Sequence, residues 1–65
     1  MPTWKSGGYI IRMYLNDHPP AHVHIFKDGR HLDRYDLEHG RFMDGTIGRH
    51  KGRALQAMRD IGLIT

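Results

Sequence analysis

Alternation of apolar and polar side chains is the clearest pattern in the sequence, and it predicts β-strands. Residues 9–15 are rich in β-branched and aromatic side chains, and residues 21–27 carry Val23 and Ile25 two positions apart. Successive side chains of a strand point to opposite faces. We therefore place Val23 and Ile25 in the core, and His22, His24 and Phe26 on the outer face. The first strand is expected to turn four residues inward: Tyr9, Ile11, Met13 and Leu15.

These two segments are predicted to form an antiparallel hairpin, joined by a stiff loop with two consecutive prolines. Each proline fixes its own φ and cannot donate to a strand ladder, and the sequence leaves open whether either X–Pro bond is cis. The register must bring the apolar residues of both strands to one face, because a slip by one residue would bury the histidines. The register that does so pairs Leu15 with Val23, Met13 with Ile25, Tyr14 with His24 and Arg12 with Phe26.

Two further strands are expected beyond this hairpin. The Asp-Gly pair at 28–29 predicts a tight turn. A third strand then covers about residues 31–37. Its pattern is ambiguous, because Leu32 favours one face and Tyr35 and Leu37 the other, and we place Tyr35 and Leu37 inside. A short fourth strand is predicted at 41–43.

A single helix is predicted for the C-terminal third of the chain. Thr46 is the predicted N-cap, the helix runs from about residue 47 or 48 to residue 61, and Gly62 is a suitable stop in the left-handed conformation. At 100° per residue, one side of this helix is apolar and the other is polar. The apolar side holds Ala54, Leu55, Met58 and Ile61, and the polar side holds Arg49, Arg53, Gln56 and Asp60.

Together these elements predict the fold class α+β: an antiparallel three- to four-stranded meander with one C-terminal helix packed on its inner face, in the order ββββα. Residues 1–8 are expected to be irregular, because Ser6-Gly7-Gly8 is prone to turn. With 65 residues, the chain is a single small domain, 1–65, with a correspondingly small core. A core of that size favours association with a partner or with copies of the same chain.

Composition indicates the cellular compartment that we expect for this protein. The chain has no cysteine, which excludes disulfides and thiolate metal sites and fits a reducing compartment. The first residues lack the apolar run of a secretory signal, and no apolar stretch approaches the roughly 20 residues needed to span a bilayer. We therefore expect a soluble, cytoplasmic protein with no membrane partner.

The net charge is +3, and the whole excess lies in the C-terminal third. Residues 1–45 contain equal numbers of basic and acidic side chains, whereas residues 46–65 hold four Lys/Arg and one Asp. A basic end attracts polyanions such as nucleic acid or an acidic protein surface. Arg49, Lys51 and Arg53 are therefore candidate contacts for nucleic acid or a protein partner, although such residues also commonly form a solvated helix face.

Three histidines between residues 16 and 24 carry the main candidate chemistry: His18, His22 and His24. Two of them project side by side from a strand, and the third lies on the adjoining proline-containing loop. Imidazole gains and loses protons near neutral pH, so all three are candidate catalytic acids and bases for cleaving a phosphodiester. Arg12 and Tyr14 are expected beside them as contacts for nucleic acid or a partner, with Arg12 suited to holding a phosphate.

Two other interpretations of this segment stay open: a metal site, and a polar strand face with no chemical role. His22 and His24 have a spacing at which two imidazoles can share a metal ion, with His18 or Asp17 as a third ligand. His-x-His is a weak motif, however, and we assign no metal or cofactor. His31, His39 and His50 are scattered at turns and at the helix start, and they are assigned no role. The sequence contains no phosphate-binding Gly-rich loop, no Gly-x-Ser-x-Gly and no Cys-His zinc pattern.

Four features follow one another along this chain. They are a Met-Pro-Thr opening, the histidine segment at 16–24, an Asp-Leu-Glu-His-Gly-Arg turn at 36–41 and a basic helix. That order resembles a family of small bacterial proteins known as domain of unknown function 4160. Members often look like the toxin half of toxin–antitoxin pairs. The resemblance therefore implies a small cytoplasmic toxin that acts on nucleic acid or translation, with an antitoxin as partner and with the three histidines in the family's histidine segment.

An alternative function arises where the resemblance weakens, at the C-terminal end. Family members usually have a longer helix with a tryptophan and acidic residues, whereas this sequence stops at Thr65. A short basic chain also fits a non-enzymatic, phage-type inhibitor, such as an anti-CRISPR, that binds a host nucleic-acid-binding complex. The sequence leaves open whether the protein is an enzyme. Cleavage that depends on the histidines would favour the toxin, and partner binding that depends on Arg49 and Arg53 would favour the inhibitor.

Overall fold

A five-stranded antiparallel sheet and one C-terminal helix make up the fold. The computed structural model describes residues 2–14 and 18–65. The strands pair in chain order, so the sheet is a meander, and the α+β class is confirmed with one more strand than the sequence predicts. The elements are β1 (Thr3–Ser6), β2 (Tyr9–Arg12), β3 (His22–Lys27), β4 (Arg30–Asp36), β5 (Arg41–Phe42), a 3₁₀ turn at Gly48–His50 and the helix α1 (Lys51–Asp60).

The additional strand is β1, in the segment that the sequence predicts to be irregular. Gly7 and Gly8 have φ values of 57° and 85° and form a two-residue turn. Two successive positive φ values give the turn type whose twist matches that of a β-hairpin. The turn therefore folds the first residues back along β2, where Trp4 lies opposite Ile11.

The register between β2 and β3 differs from the predicted one by two residues. Ile11 lies opposite Ile25, Arg12 opposite His24 and Ile10 opposite Phe26, so the predicted pairs Met13–Ile25, Tyr14–His24 and Arg12–Phe26 are wrong. Beyond the end of β2, the Met13 amide donates to the carbonyl of Pro2 and continues the pairing with the first residues of the chain. The predicted partner of Val23, Leu15, lies outside the described residues. A shift of two leaves every side chain on its predicted face.

The turn between β3 and β4 confirms the Asp-Gly prediction, and a β-bulge follows it. Asp28 and Gly29 have φ values of 52° and 77°. In the ladder, Ile25 pairs with Asp33 whereas Phe26 pairs with His31, so one residue of β4 is extra. Strict alternation would place residue 31 on the inner face with Asp33, but the bulge turns it to the face of Phe26.

The core lies between the inner face of the sheet and the helix. The sequence places Tyr35 and Leu37 inside: Tyr35, in β4, is buried, and Leu37, directly after β4, is partly buried against the core. The helix face is as predicted, with Leu55 and Ile61 partly buried and the four predicted polar residues exposed. The buried apolar residues are Tyr9, Ile11, Val23, Ile25, Tyr35, Ile47, Ala54, Ala57 and Met58.

The segment that leads into the helix is held by a buried carboxylate and not by the predicted cap. Asp33 is fully buried, and its oxygens accept hydrogen bonds from the amides of Asp44, Thr46 and Ile47. The Thr46 hydroxyl donates to the carbonyl of Leu32, and neither helical segment has a side-chain cap. The N-cap prediction for Thr46 is therefore wrong, because the hydroxyl is already engaged with β4.

The helix packs on the inner face, so the other face of the sheet carries the side chains that concern function. Within 2–14 and 18–65, no further helix exists to cover this outer face. Its side chains form rows across the strands, with Ile10, Phe26 and His31 in one row and Arg12, His24 and Arg34 in the next. None of the described helices has the length and apolar character needed to cross a membrane.

Candidate functional site

A cluster of aromatic and imidazole rings lies on the outer face of the sheet. We call it the ring cluster; its members are Arg12, Tyr14, His22, His24, Phe26 and His31. Four of these residues were predicted as site residues from the sequence. Phe26 was predicted only to share their face, and His31 was assigned no role. The strands β2, β3 and β4 each contribute, so the cluster exists only in the folded sheet.

His24 is the centre of the ring cluster. Its ring centroid lies 4.8 Å from that of Tyr14 in an edge-to-face arrangement, 5.1 Å from that of His22 and 5.3 Å from that of His31. The last contact includes a hydrogen bond, with 3.1 Å between Nδ1 of His24 and Nε2 of His31. A ring at the centre of three others has its orientation fixed on several sides, which suits a residue that must present a nitrogen to a ligand.

The other end of the ring cluster combines an aromatic ring with a cation. The rings of Phe26 and His31 are edge to face with centroids 5.1 Å apart, and the Arg12 guanidinium lies 5.7 Å from the Phe26 centroid. Phe26 is only partly buried, and Arg12 and His31 are exposed. A guanidinium held over a ring keeps its charge accessible while its position is restricted, so Arg12 is placed to meet a phosphate beside a stacking surface.

His22 is more enclosed than the sequence predicts. It lies on the predicted face, opposite Val23, but only 7% of its surface is exposed. Its Nδ1 lies 2.7 Å from the carbonyl oxygen of Pro20, and the Pro19–Pro20 bond before it is cis. The proline-containing segment folds against this imidazole and so buries it. The buried ring is suited to holding the loop and the neighbouring His24 in place.

His18, the third predicted catalytic histidine, is exposed at the end of the ring cluster. It lines a pocket of about 340 Å³ together with Tyr14, His22 and Glu38. Glu38 closes this pocket by accepting a hydrogen bond from the amide of Ala21 at 2.5 Å. The fold therefore brings all three predicted histidines to one region, with His24 in the cluster, His22 behind it and His18 at the rim of the adjoining pocket.

An ion pair borders the ring cluster on β4. The Arg34 guanidinium holds both carboxylate oxygens of Asp44, with Nε at 3.2 and 3.0 Å from Oδ1 and Oδ2. These hydrogen bonds keep the pKa of Asp44 below its usual value, against a smaller rise from partial burial, and the nearby rings of His31 and His24 add to the lowering. The negative charge of Asp44 thus lies near His24 and His31, at the border of the ring cluster.

A carboxylate–imidazole pair occupies the turn after β4. Nδ1 of His39 lies 2.7 Å from Oδ2 of the buried Asp36, and the amides of Glu38 and His39 donate to Oδ1. Burial raises the pKa of Asp36, but the hydrogen bonds from His39 and Glu38 outweigh it and hold the pKa below its usual value. The pair closes the turn at 36–40 and leaves the His39 ring mostly exposed.

The predicted basic residues of the helix do not join the ring cluster. The helix lies on the inner side of the sheet, where Arg49 and Arg53 line a pocket with Lys27 and His50. Lys51, between them in sequence, lines a different pocket, beside Leu55. The predicted binding residues therefore do not form one surface. Arg12 and Tyr14 lie on the outer face, whereas Arg49 and Arg53 lie together in the inner layer and Lys51 lines its own pocket there.

A metal site finds no support in the part of the chain that the structure describes. No group of three or more His, Cys, Asp or Glu in 2–14 and 18–65 is arranged to hold a metal ion. Asp17, named above as a further ligand for a histidine-held ion, lies outside these residues. The interaction that is present, between the rings of His24 and His31, uses the nitrogens for a mutual hydrogen bond.

Comparison with known proteins shows which family this chain belongs to. Searches of curated proteins and of solved structures found no match. The model of one family matches residues 8–61, which include β2 to β5, the ring cluster and the whole of α1. The chain belongs to the family described as Domain of unknown function (DUF4160).

Proposed function

We propose that this protein is a small cytoplasmic toxin-like module that binds single-stranded RNA on the outer face of its sheet and cuts the RNA backbone there. The observation that carries the proposal is the ring cluster: five rings and one arginine on a sheet face opposite the helix. Open antiparallel sheets that display aromatic residues are a recurring platform for unpaired bases.

The binding half of the proposal rests on stacking and charge. Each base stacked on an aromatic side chain contributes about 1–3 kcal/mol, and stacking tolerates any sequence because every base has a π-face. Phe26, Tyr14 and the imidazoles of His24 and His31 offer such faces along the strands, and Arg12 supplies a cation beside Phe26. Duplex RNA hides its bases, so single strands are the favoured ligand.

The chemical half of the proposal rests on His24 and His31. RNA cleavage by its own 2′-hydroxyl needs a base to take the proton of that hydroxyl and an acid to give a proton to the departing 5′-oxygen. The P–O2′ bond forms as the P–O5′ bond breaks, which leaves a 2′,3′-cyclic phosphate. In their mutual hydrogen bond, the neutral ring uses its one lone pair on its partner. The two imidazoles can therefore act as base and acid once bound RNA has replaced that contact, and His18 at the rim is a second candidate acid.

The decisive experiment measures binding and cutting separately on purified full-length chain. We expect fluorescein-labelled single-stranded RNA to bind more tightly than duplex RNA, and 2′,3′-cyclic phosphate products to accumulate. His24→Gln should abolish cutting while binding persists, and Phe26→Leu should weaken binding about tenfold, the loss of one stacked base. Unfolding curves confirm that both variants fold.

Three outcomes would contradict the proposal in different ways. Undiminished cutting by His24→Gln excludes the proposed chemistry, and RNA binding without cutting leaves a binding module only. An absence of RNA binding, with capture of a host protein complex through Arg49 and Arg53, would support the non-enzymatic inhibitor. In cells, growth arrest by the wild-type chain but not by His24→Gln, relieved by a co-expressed neighbouring gene product, is expected for a toxin.

A further inference from the structure

A second site is suggested by four basic side chains that converge at one end of the inner layer. Lys27, Arg49, His50 and Arg53 line a pocket of about 480 Å³, and no acidic residue lines it. We call it the basic pocket. Its volume is many times the roughly 30 Å³ that one water molecule occupies. The lysine comes from the end of β3, and the other three come from the start of the helical segment.

The basic pocket is organised by a buried tyrosine. Tyr9 is 2% exposed, its hydroxyl lies 3.0 Å from Nδ1 of His50, and its ring centroid lies 4.9 Å from the Lys27 ammonium. When the hydroxyl donates to Nδ1, or when the imidazole is protonated, Nε2 of His50 carries a hydrogen and can donate to a ligand. Tyr9 therefore restricts the positions of two of the four basic groups, His50 and Lys27.

The hairpin turn beside the basic pocket leaves room for the lysine. A Cβ added at Gly8 would lie 2.9 Å from Nζ of Lys27, so the ammonium would have to move from its position over Tyr9. Gly8 also has a φ of 85°, which other residues rarely adopt. A glycine at this position lets the ammonium lie over Tyr9 and against the turn.

The cations of the basic pocket have no carboxylate partner among the residues that the structure describes. Lys27, Arg49 and Arg53 form no ion pair with any carboxylate in the described part of the chain. Like charges brought together repel one another and reduce stability unless an anion joins them. Three cations and an imidazole donor match the charge and the acceptor oxygens of a phosphate group.

We propose that the basic pocket is a binding site for a phosphate group, separate from the ring cluster. Phe26 and Lys27 are neighbours on β3 but lie on opposite faces of the sheet, so the two sites are separated by its thickness. The phosphate belongs either to a small ion or nucleotide or to the end of a nucleic acid chain. The site does not depend on RNA cutting at the outer face.

The test uses inorganic phosphate and pyrophosphate as probes, with chloride at equal ionic strength as reference. Both anions should raise the midpoint of thermal unfolding above that in chloride, and ring signals of His50 should shift on titration. Lys27→Gln and Arg49→Gln should each weaken pyrophosphate binding at least about tenfold, the loss of one charge-assisted hydrogen bond. Arg59→Gln removes the same charge as Arg49→Gln but lies outside the basic pocket, and it should keep the wild-type affinity.

A second arm distinguishes the sources of the phosphate. Tighter binding of a 5′-phosphorylated oligonucleotide than of its 5′-hydroxyl form, lost in Lys27→Gln, assigns the site to chain ends. Equal binding of the two forms, with pyrophosphate binding retained, assigns it to small anions. The proposal is overturned if phosphate and pyrophosphate stabilise no more than chloride does, or if Arg59→Gln weakens binding as much as Arg49→Gln. Neither result would bear on the ring cluster.

Discussion

Nδ1 of His24 and Nε2 of His31 lie 3.1 Å apart across neighbouring strands. A single proton must lie between these nitrogens, because two would repel and none would leave two lone pairs facing each other. The tautomer of one ring is therefore tied to that of the other. A ligand that takes or gives a proton at one imidazole changes what the other can donate.

The first prediction concerns this shared proton. At about pH 8, where ordinary imidazoles are neutral, long-range ¹⁵N spectra should show one of the two facing nitrogens protonated and the other not. His31→Gln should change the tautomer populations of His24, because its partner is gone. His39→Gln, in the turn after β4, should leave them unchanged. Independent tautomer mixtures in both rings of the wild-type chain would contradict the contact.

The second prediction concerns the buried carboxylate of Asp33. Asp33→Asn keeps the shape of the side chain but places an NH₂ group against amides that need an acceptor, namely those of Asp44, Thr46 and Ile47. The loss of hydrogen bonds to a buried charge should cost about 2–4 kcal/mol of unfolding free energy. Urea denaturation followed by circular dichroism measures it.

A matched substitution checks that this loss comes from burial and not from charge. Asp28→Asn makes the same chemical change in an exposed turn, and asparagine tolerates its positive φ. We expect it to stay within about 0.5 kcal/mol of wild type. Equal losses in the two variants would mean that Asp33 does not hold the segment leading into the helix.

The faces of the sheet could be predicted from the sequence, whereas the pairs across it could not. Alternation fixes which side chains share a face, and a register shift of two preserves that assignment. Tyr14 still contacts His24, and Arg12 still contacts Phe26, as diagonal neighbours instead of direct ones. Nor did the sequence indicate β1, which pairs along β2 where Ser6-Gly7-Gly8 predicts an irregular segment.

Two parts of the candidate sites had no local signal in the sequence. His31 reaches the ring cluster only because the bulge reverses the alternation of β4. The residues around His31 do not predict the position of that bulge. The basic pocket joins Lys27 to the start of the helix through Tyr9, a contact between segments far apart in the chain. Both arise from tertiary packing, which periodicity along a single segment does not encode.

The third prediction is a pH dependence of stability that comes from Asp36. Its pKa in the folded chain lies below the usual 3.8, so the folded state binds this proton less readily than the unfolded state does. The stabilisation is complete above pH 3.8 and is lost as the pH falls through the folded pKa. Unfolding free energies measured down this range should fall more steeply in wild type than in Asp36→Asn.

An intermediate variant tests the origin of that dependence. His39→Gln removes the ring contact to Asp36 but leaves the amides of Glu38 and His39 as donors. Its acid sensitivity should therefore lie between those of wild type and Asp36→Asn. If His39→Gln and wild type lose stability identically with falling pH, the imidazole does not contribute to the lowered pKa.

The last prediction concerns Arg12 as a phosphate contact on the outer face. Affinity for nucleic acid falls with salt in proportion to the number of phosphates neutralised, and each contact to a single strand contributes about 0.7 to the slope of log affinity against log salt. Arg12→Gln should therefore reduce that slope for single-stranded RNA by about 0.7. Arg59→Gln, exposed on the helix of the inner layer, makes the same charge change and should leave the slope unchanged. Equal reductions in the two variants would indicate attraction by net charge alone, and no reduction in Arg12→Gln would remove this arginine from the interface.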